Sequence, residues 1–163
     1  MQSDNVLEIF LLPGDFFWGD SETRIRTILG SCVSICIWHP IKKFGGMCHF
    51  MLPDRRLAKI ENSKLDGKYG VEAWIFFERE FEKSKTKPTE YIAKIFGGSE
   101  MFIKTEQNQN DIAMGVKNIE FAKNILAKNK IQIVSENIGG TRGRRIHFDL
   151  WSGNVWLKRQ IEE

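Results

Sequence analysis

Residues Leu29–Pro40 read LGSCVSICIWHP, and Gly45–Pro53 read GGMCHFMLP. The first stretch sets Cys32 directly after a Gly30-Ser31 turn, and the second sets His49 on the next apolar run. A thiol beside an imidazole can attack an acyl carbon, with the imidazole taking the thiol proton and delivering it to the leaving group. A turn ahead of a strand leaves backbone N–H groups outside any ladder. Such groups can lower a thiol pKa or hold an oxyanion. Gly30 tolerates unusual backbone angles if the turn requires them. Thr27, just ahead of the turn, can orient the imidazole through its hydroxyl or its backbone carbonyl. A structural alternative stays open on residue types alone, because buried cysteines are common and most strand histidines do no chemistry.

The remaining cysteines and histidines suggest no metal. On one strand, Cys32 and Cys36 share a face but stand ~13 Å apart, at about 3.3 Å per residue. A zinc ion holding each sulfur at ~2.3 Å cannot bridge them, and neither can a disulfide. Cys48 and His49 are sequence neighbours, so on a strand they point to opposite faces. Cys36 and Cys48 are therefore expected as small buried hydrophobes. His39, before Pro40, is expected to cap a turn, and His147 to face solvent or an interface.

These residues need a scaffold, and the hydrophobic pattern supplies one. Arg24–Leu29 and Cys32–Trp38 read as strands on either side of the Gly30-Ser31 turn. His39-Pro40 ends the second strand, and Phe44–Leu52 returns as its antiparallel partner. A hairpin of that length can bring Cys32 and His49 to one face. Asn62–Lys68 is polar and reads as a loop. Val71–Lys83 is a helix with Trp74, Phe77 and Phe81 on one stripe, closed by Ser84–Pro88. Tyr91–Phe96 is a strand ending at Gly97-Gly98. Ile112, Val116, Ile119 and Leu126 mark a second helix, with Asn110 or Asp111 at its N-cap. Ile131–Ile138 is a strand closed by Gly139-Gly140, and Ile146–Leu157 folds back on itself through Ser152-Gly153-Asn154. Strands outnumber helices, which predicts an α+β domain with helices on mostly antiparallel sheets.

The 163 residues fit one domain, with no repeat and no linker. Net charge is +3, from 24 basic and 21 acidic residues, too balanced to indicate nucleic acid or a membrane surface. The first 20 residues lack a basic n-region and carry Asp4, Glu8 and Pro13, so no signal peptide is expected. No apolar run approaches the ~18 residues of a membrane span. Three cysteines make an odd count, which argues against a disulfide framework and for a reducing cytoplasm. Gly139–Arg145 (GGTRGRR) lacks the P-loop spacing. It reads as a solvated basic loop or as a surface for an acidic helix bundle or a partner protein. A single short basic run without interleaved aromatics is poor evidence for nucleic-acid binding.

Thr27–Ile37 (T-x-L-G-S-C-V-S-I-C-I) followed by Gly45–Pro53 resembles the signature of the CheD family, the chemoreceptor glutamine deamidases of bacterial chemotaxis. Gly97–Phe102 resembles that family's GG-x-x-MF, Asn118 and Glu120 its helical N-x-E, and Glu136–Arg145 its late Gly-Arg segment. The similarity runs from about residue 20 to residue 158. It implies Cys32 as nucleophile, His49 as base and Thr27 as third residue, although some members carry one more residue between that Thr and the Cys. It implies a layered α-β-β sandwich similar to the deamidase domain of cytotoxic necrotizing factor. It implies conversion of receptor Gln to Glu through a thioester, with release of ammonia, and methylesterase activity on receptor Glu esters by the same acyl chemistry. The turn N–H groups of Gly30–Cys32 are the expected oxyanion donors, and no cofactor or metal is expected. The expected partners are the cytoplasmic helices of chemoreceptors and a CheC-type phosphatase of the response regulator. Regulation of that phosphatase by a non-catalytic module is the alternative to an enzyme.

Overall fold

In Thr23–Leu29, Thr23, Ile25, Thr27 and Leu29 are buried, while Arg24, Arg26 and Ile28 are more open. That period-2 pattern marks a strand with one packed face. Val33–Trp38 is buried at all six positions, as expected of a strand covered on both sides. These two strands set the layers.

The computed structural model describes residues 5–55, 64–100 and 109–160. In chain order the elements are β1 (Leu7–Phe10), β2 (Phe16–Gly19), β3 (Thr23–Leu29), β4 (Val33–Trp38), β5 (Gly45–Cys48), α1 (Gly70–Ser84), β6 (Ile92–Gly97), α2 (Gln109–Lys128), β7 (Gln132–Ile138), β8 (Arg144–Asp149) and β9 (Val155–Arg159). They form a four-stranded sheet in the order β1-β3-β8-β9 and a five-stranded sheet in the order β2-β5-β4-β6-β7. Among the described strand pairs, β1–β3 and β6–β7 are parallel and the rest antiparallel.

Two apolar layers glue the molecule together. Val33, Ile35 and Ile37 of β4 pack with Trp74, Phe77 and Phe81 of α1 and with Ala122 and Leu126 of α2. Cys36, Trp38 and Met47 pack on the other face, against Ile25, Leu29, Ile146 and Phe148 of the smaller sheet. The architecture is thus helices, five-stranded sheet, four-stranded sheet, an α+β fold with the layering that the family resemblance implies. No helix among the described residues is long and apolar enough to cross a membrane.

Several local expectations shift. The strand carrying His49 is shorter than Phe44–Leu52: β5 stops at Cys48, and beyond it only Phe50 pairs back, with Val33. The His49 carbonyl instead accepts the Gly14 N–H at 2.8 Å, which takes it off the ladder. Cys32 lies just before β4 and not within it. β1 and β2 appear where no strand is expected. The second helix is described from Gln109, so Asn110 and Asp111 lie inside it and not at its N-cap. Part of the expected Asn62–Lys68 loop and the Met101-Phe102 pair fall outside the described residues.

Candidate active site

The chain passes from one sheet to the other at Gly30–Cys32, between β3 and β4. In the β4–β5 register Cys36 opposes Met47, Ile37 opposes Gly46, and beyond the ladder Val33 opposes Phe50. The same register sets Ser34 opposite His49, and Cys32 one diagonal step away on the same face. That face is the one turned to the four-stranded sheet, where Cys32 packs against the apolar layer that holds Cys36 and Met47. Thr27 lies on the inner face of β3, fully buried, and meets His49 across the gap.

The Thr27–His49 contact fixes a proton. Thr27 Oγ1 lies 2.7 Å from His49 Nδ1 and 2.8 Å from the Leu11 carbonyl oxygen. A hydroxyl has one proton, and a carbonyl oxygen can only accept. The hydroxyl therefore donates to Leu11 and accepts from Nδ1–H. Neutral His49 then carries its proton on Nδ1, and Nε2 keeps a lone pair. Of the two routes open to Thr27, the hydroxyl is the one used. His49 is 2% exposed. Burial holds its imidazole down to about 4, against a smaller upward pull from Asp15.

Cys32 is half-buried and free. Burial pushes its thiol up to about 11, opposed by its own backbone N–H. The lowering that turn N–H groups can exert is present but smaller than desolvation. The structure pairs Thr27 with His49, and among the described residues no hydrogen bond joins Cys32 Sγ to His49; Cys32 shares their face through the strand register alone. Hydrogen bonds of this kind are often long in substrate-free proteins.

The turn itself is held by its carbonyls. Gly30 O accepts the Ser99 N–H and Cys32 O the Gly98 N–H, each at 3.0 Å. Ser31 O accepts Asn118 Nδ2 at 3.1 Å. The N–H groups of Ser31 and Cys32 have no backbone acceptor among the described residues. Gly30 does not adopt a positive φ; its neighbours across the turn, Gly97 and Gly98, do, with φ 109° and 74°. A Cβ on Gly97 would collide with the Cys32 carbonyl oxygen, so this glycine lets β6 approach the turn.

Asn118 is fully buried, and its amide also donates to Met51 O at 2.9 Å. One side chain of α2 thus ties the Cys32 turn to the segment behind His49. Neither this clamp nor the Leu11 carbonyl is foreseen from residue types, although the N-x-E motif does flag Asn118. Cys36 and Cys48 divide between the two layers, both fully buried, and Cys48 is pushed up to about 12 by burial. His39 Nδ1 accepts the Ile41 and Lys42 N–H groups, capping its turn. His147 is half-buried on β8.

A family model described as CheD chemotactic sensory transduction matches residues 51–159. A relative from Dechloromonas aromatica, named probable chemoreceptor glutamine deamidase CheD 3, is 47% identical over 150 residues, covering 92% of this chain and 86% of that protein. One from Leptospira interrogans, named probable chemoreceptor glutamine deamidase CheD 1, is 42% identical over 163 residues, 98% of this chain and 96% of its own. A Pseudomonas syringae relative with the corresponding name is 40% identical over 155 residues, 95% of this chain and 90% of its own.

Proposed function

This chain belongs to the CheD family, and we propose that it is a chemoreceptor glutamine deamidase with Cys32 as nucleophile, His49 as general base and acid, and Thr27 as the group that orients His49. The single observation that carries the roles is the Thr27 hydroxyl between Leu11 O and His49 Nδ1, which leaves Nε2 ready to accept a proton.

A receptor Gln side chain enters beside Cys32. His49 Nε2 takes the thiol proton as the sulfur bonds to the amide carbon. The oxyanion that forms is held by the N–H groups of Ser31 and Cys32, at the end of the Gly30–Cys32 turn. His49 then gives its proton to the departing nitrogen, and ammonia leaves as the carbonyl re-forms as a thioester. Water, deprotonated by His49, attacks that carbon, and the thiolate departs and recovers the proton. The receptor gains a Glu in place of a Gln. Because the resting pair is thiol and neutral imidazole, proton transfer accompanies attack and no ion pair stands ready. The same steps accept a Glu methyl ester, with methanol leaving in place of ammonia.

Incubation with the cytoplasmic fragment of a chemoreceptor, read by peptide mass spectrometry, tests this. Wild type converts Gln to Glu, and Cys32→Ala does not while keeping its fold by circular dichroism. Turnover by Cys32→Ala would remove the nucleophile assignment. The raised thiol favours the alternative, a non-catalytic module that binds a CheC-type phosphatase. A wild type that binds such a phosphatase and converts no receptor would establish that role.

A further inference from the structure

One strongly charged cavity takes no part in these steps. It has a volume of about 370 Å³ and is lined by Gly139, Arg142, Arg144 and Arg159 among others. Arg144 and Arg159 are direct partners across the β8–β9 ladder, and like charges so placed repel. Arg144 is 3% exposed. Its guanidinium donates to Asn137 Oδ1 at 2.7 Å, Ser99 Oγ at 2.7 Å and Gly139 O at 2.6 Å, all of them neutral acceptors. Among the described residues no carboxylate lies within ion-pair distance of Arg144 or Arg159. A buried cation with no counter-charge among the described residues is costly, and two of the five guanidinium N–H groups have no acceptor among them. A carboxylate satisfies both needs.

The cavity sits at the end of the sandwich that carries Cys32. Leu29, three residues before Cys32, pairs with Arg144. Ser99 joins the two places, since its N–H donates to Gly30 O while its hydroxyl receives Arg144 and donates to Arg142 O. In the five-stranded sheet β4, β6 and β7 are consecutive. Cys32, ahead of β4, and Gly139, after β7, are therefore two strand spacings apart, about 10 Å. His49 lies on the other side of Cys32, after β5. Ten ångströms is about seven residues along an α-helix.

We propose that this cavity is a carboxylate subsite for the substrate: a receptor helix lying across the strand ends, with its target Gln at Cys32, places an acidic side chain about two turns away at the Arg144–Arg159 pair. The subsite rests on the deamidase reading for the identity of its ligand, and binding can be measured apart from turnover. The receptor cytoplasmic fragment is titrated calorimetrically into Cys32→Ala and into Cys32→Ala with Arg159→Gln. A second fragment carries Gln in place of each Glu within two turns of the target. Arg159→Gln and the neutralised fragment each weaken binding about tenfold, the loss of one charge-assisted hydrogen bond. Combined, they lose little more than either alone. Arg159 is exposed, so its substitution leaves the fold intact where Arg144→Gln risks it. Losses that multiply, affinity indifferent to both changes, or no binding at all would each overturn the subsite. Gln-to-Glu conversion by wild type, followed in parallel, reports separately: charge-dependent binding without conversion overturns the deamidase and spares the subsite.

Discussion

At the scale of single residues, His49 is decided by two neighbours with nothing unusual about them. Leu11 contributes only a carbonyl and Thr27 only a hydroxyl, yet together they assign the imidazole tautomer. Burial decides its charge, since a pKa near 4 in place of 6.5 keeps the ring neutral at every physiological pH. Two consequences have opposite signs. The base form is retained on acidification, so kcat/KM stays flat through the region near 6.5 where an ordinary histidine titrates, and falls only towards 4. Stability, in contrast, declines as pH drops from 6.5 to about 4, because the unfolded chain binds the proton that the folded one refuses; the loss is at most about 3 kcal/mol. Thr27→Val keeps the shape and removes the acceptor, which lowers the plateau roughly 10²-fold by freeing the tautomer. Initial rates from pH 5 to 8 for both proteins check this. An acid limb with its midpoint near 6.5 in wild type would contradict the buried, neutral imidazole. None of this desolvation is legible in sequence: the position of Thr27 ahead of the turn suggests its contact with His49, whereas the burial that raises the Cys32 thiol has no sign in the residue types.

At the scale of elements, the parts with strong local patterns are legible and those defined by distant partners are not. α1 carries its stripe of Trp74, Phe77 and Phe81 into the core as its spacing requires, and β4 and β5 form the expected antiparallel pair. β1 and β2 are four residues each, interrupted by Pro13-Gly14, and exist because β3 and β5 offer them edges. No alternation within FLLPGDFFWG announces that. Without β1, Leu11 would not stand over Thr27. α2 shows the same separation between pattern and purpose. Its apolar positions predict a helix, while a polar residue it buries, Asn118, ties the Cys32 turn to the segment behind His49. Asn118→Leu preserves bulk and removes both donors. We expect about 1–2 kcal/mol of lost stability from two part-buried carbonyls left without their donor. We also expect a tenfold or greater fall in kcat as the Cys32 turn and the His49 segment move independently. Urea denaturation beside steady-state rates tests the pair, and a stability loss with unchanged kcat would make Asn118 a structural residue alone.

At the scale of the whole molecule, the two apolar layers have different duties. The layer between α1, α2 and the larger sheet contains none of Thr27, Cys32 or His49, whereas the layer between the sheets receives Cys32 and is crossed by the Thr27–His49 contact. Thr27 comes from within β3 of the smaller sheet, and Cys32 and His49 flank β4 and β5 of the larger, so their spacing is set by how the sheets pack on each other. Interiors are close-packed, and removing atoms shifts neighbours only partly. Phe77→Ala, in the helical layer and fully buried, should cost about 3–5 kcal/mol and leave kcat/KM of the folded fraction within about twofold. Leu29→Ala, equally buried in the inter-sheet layer and two residues beyond Thr27, should cost a comparable 2–5 kcal/mol. It should also lower kcat/KM by an order of magnitude or more, because a displacement of about an ångström at reacting groups can cost about 10²-fold. Rates measured below each variant's unfolding transition, beside denaturation curves, separate the two. Equal activity losses for equal stability losses would mean that the site depends on the fold as a whole and not on the contact between its sheets.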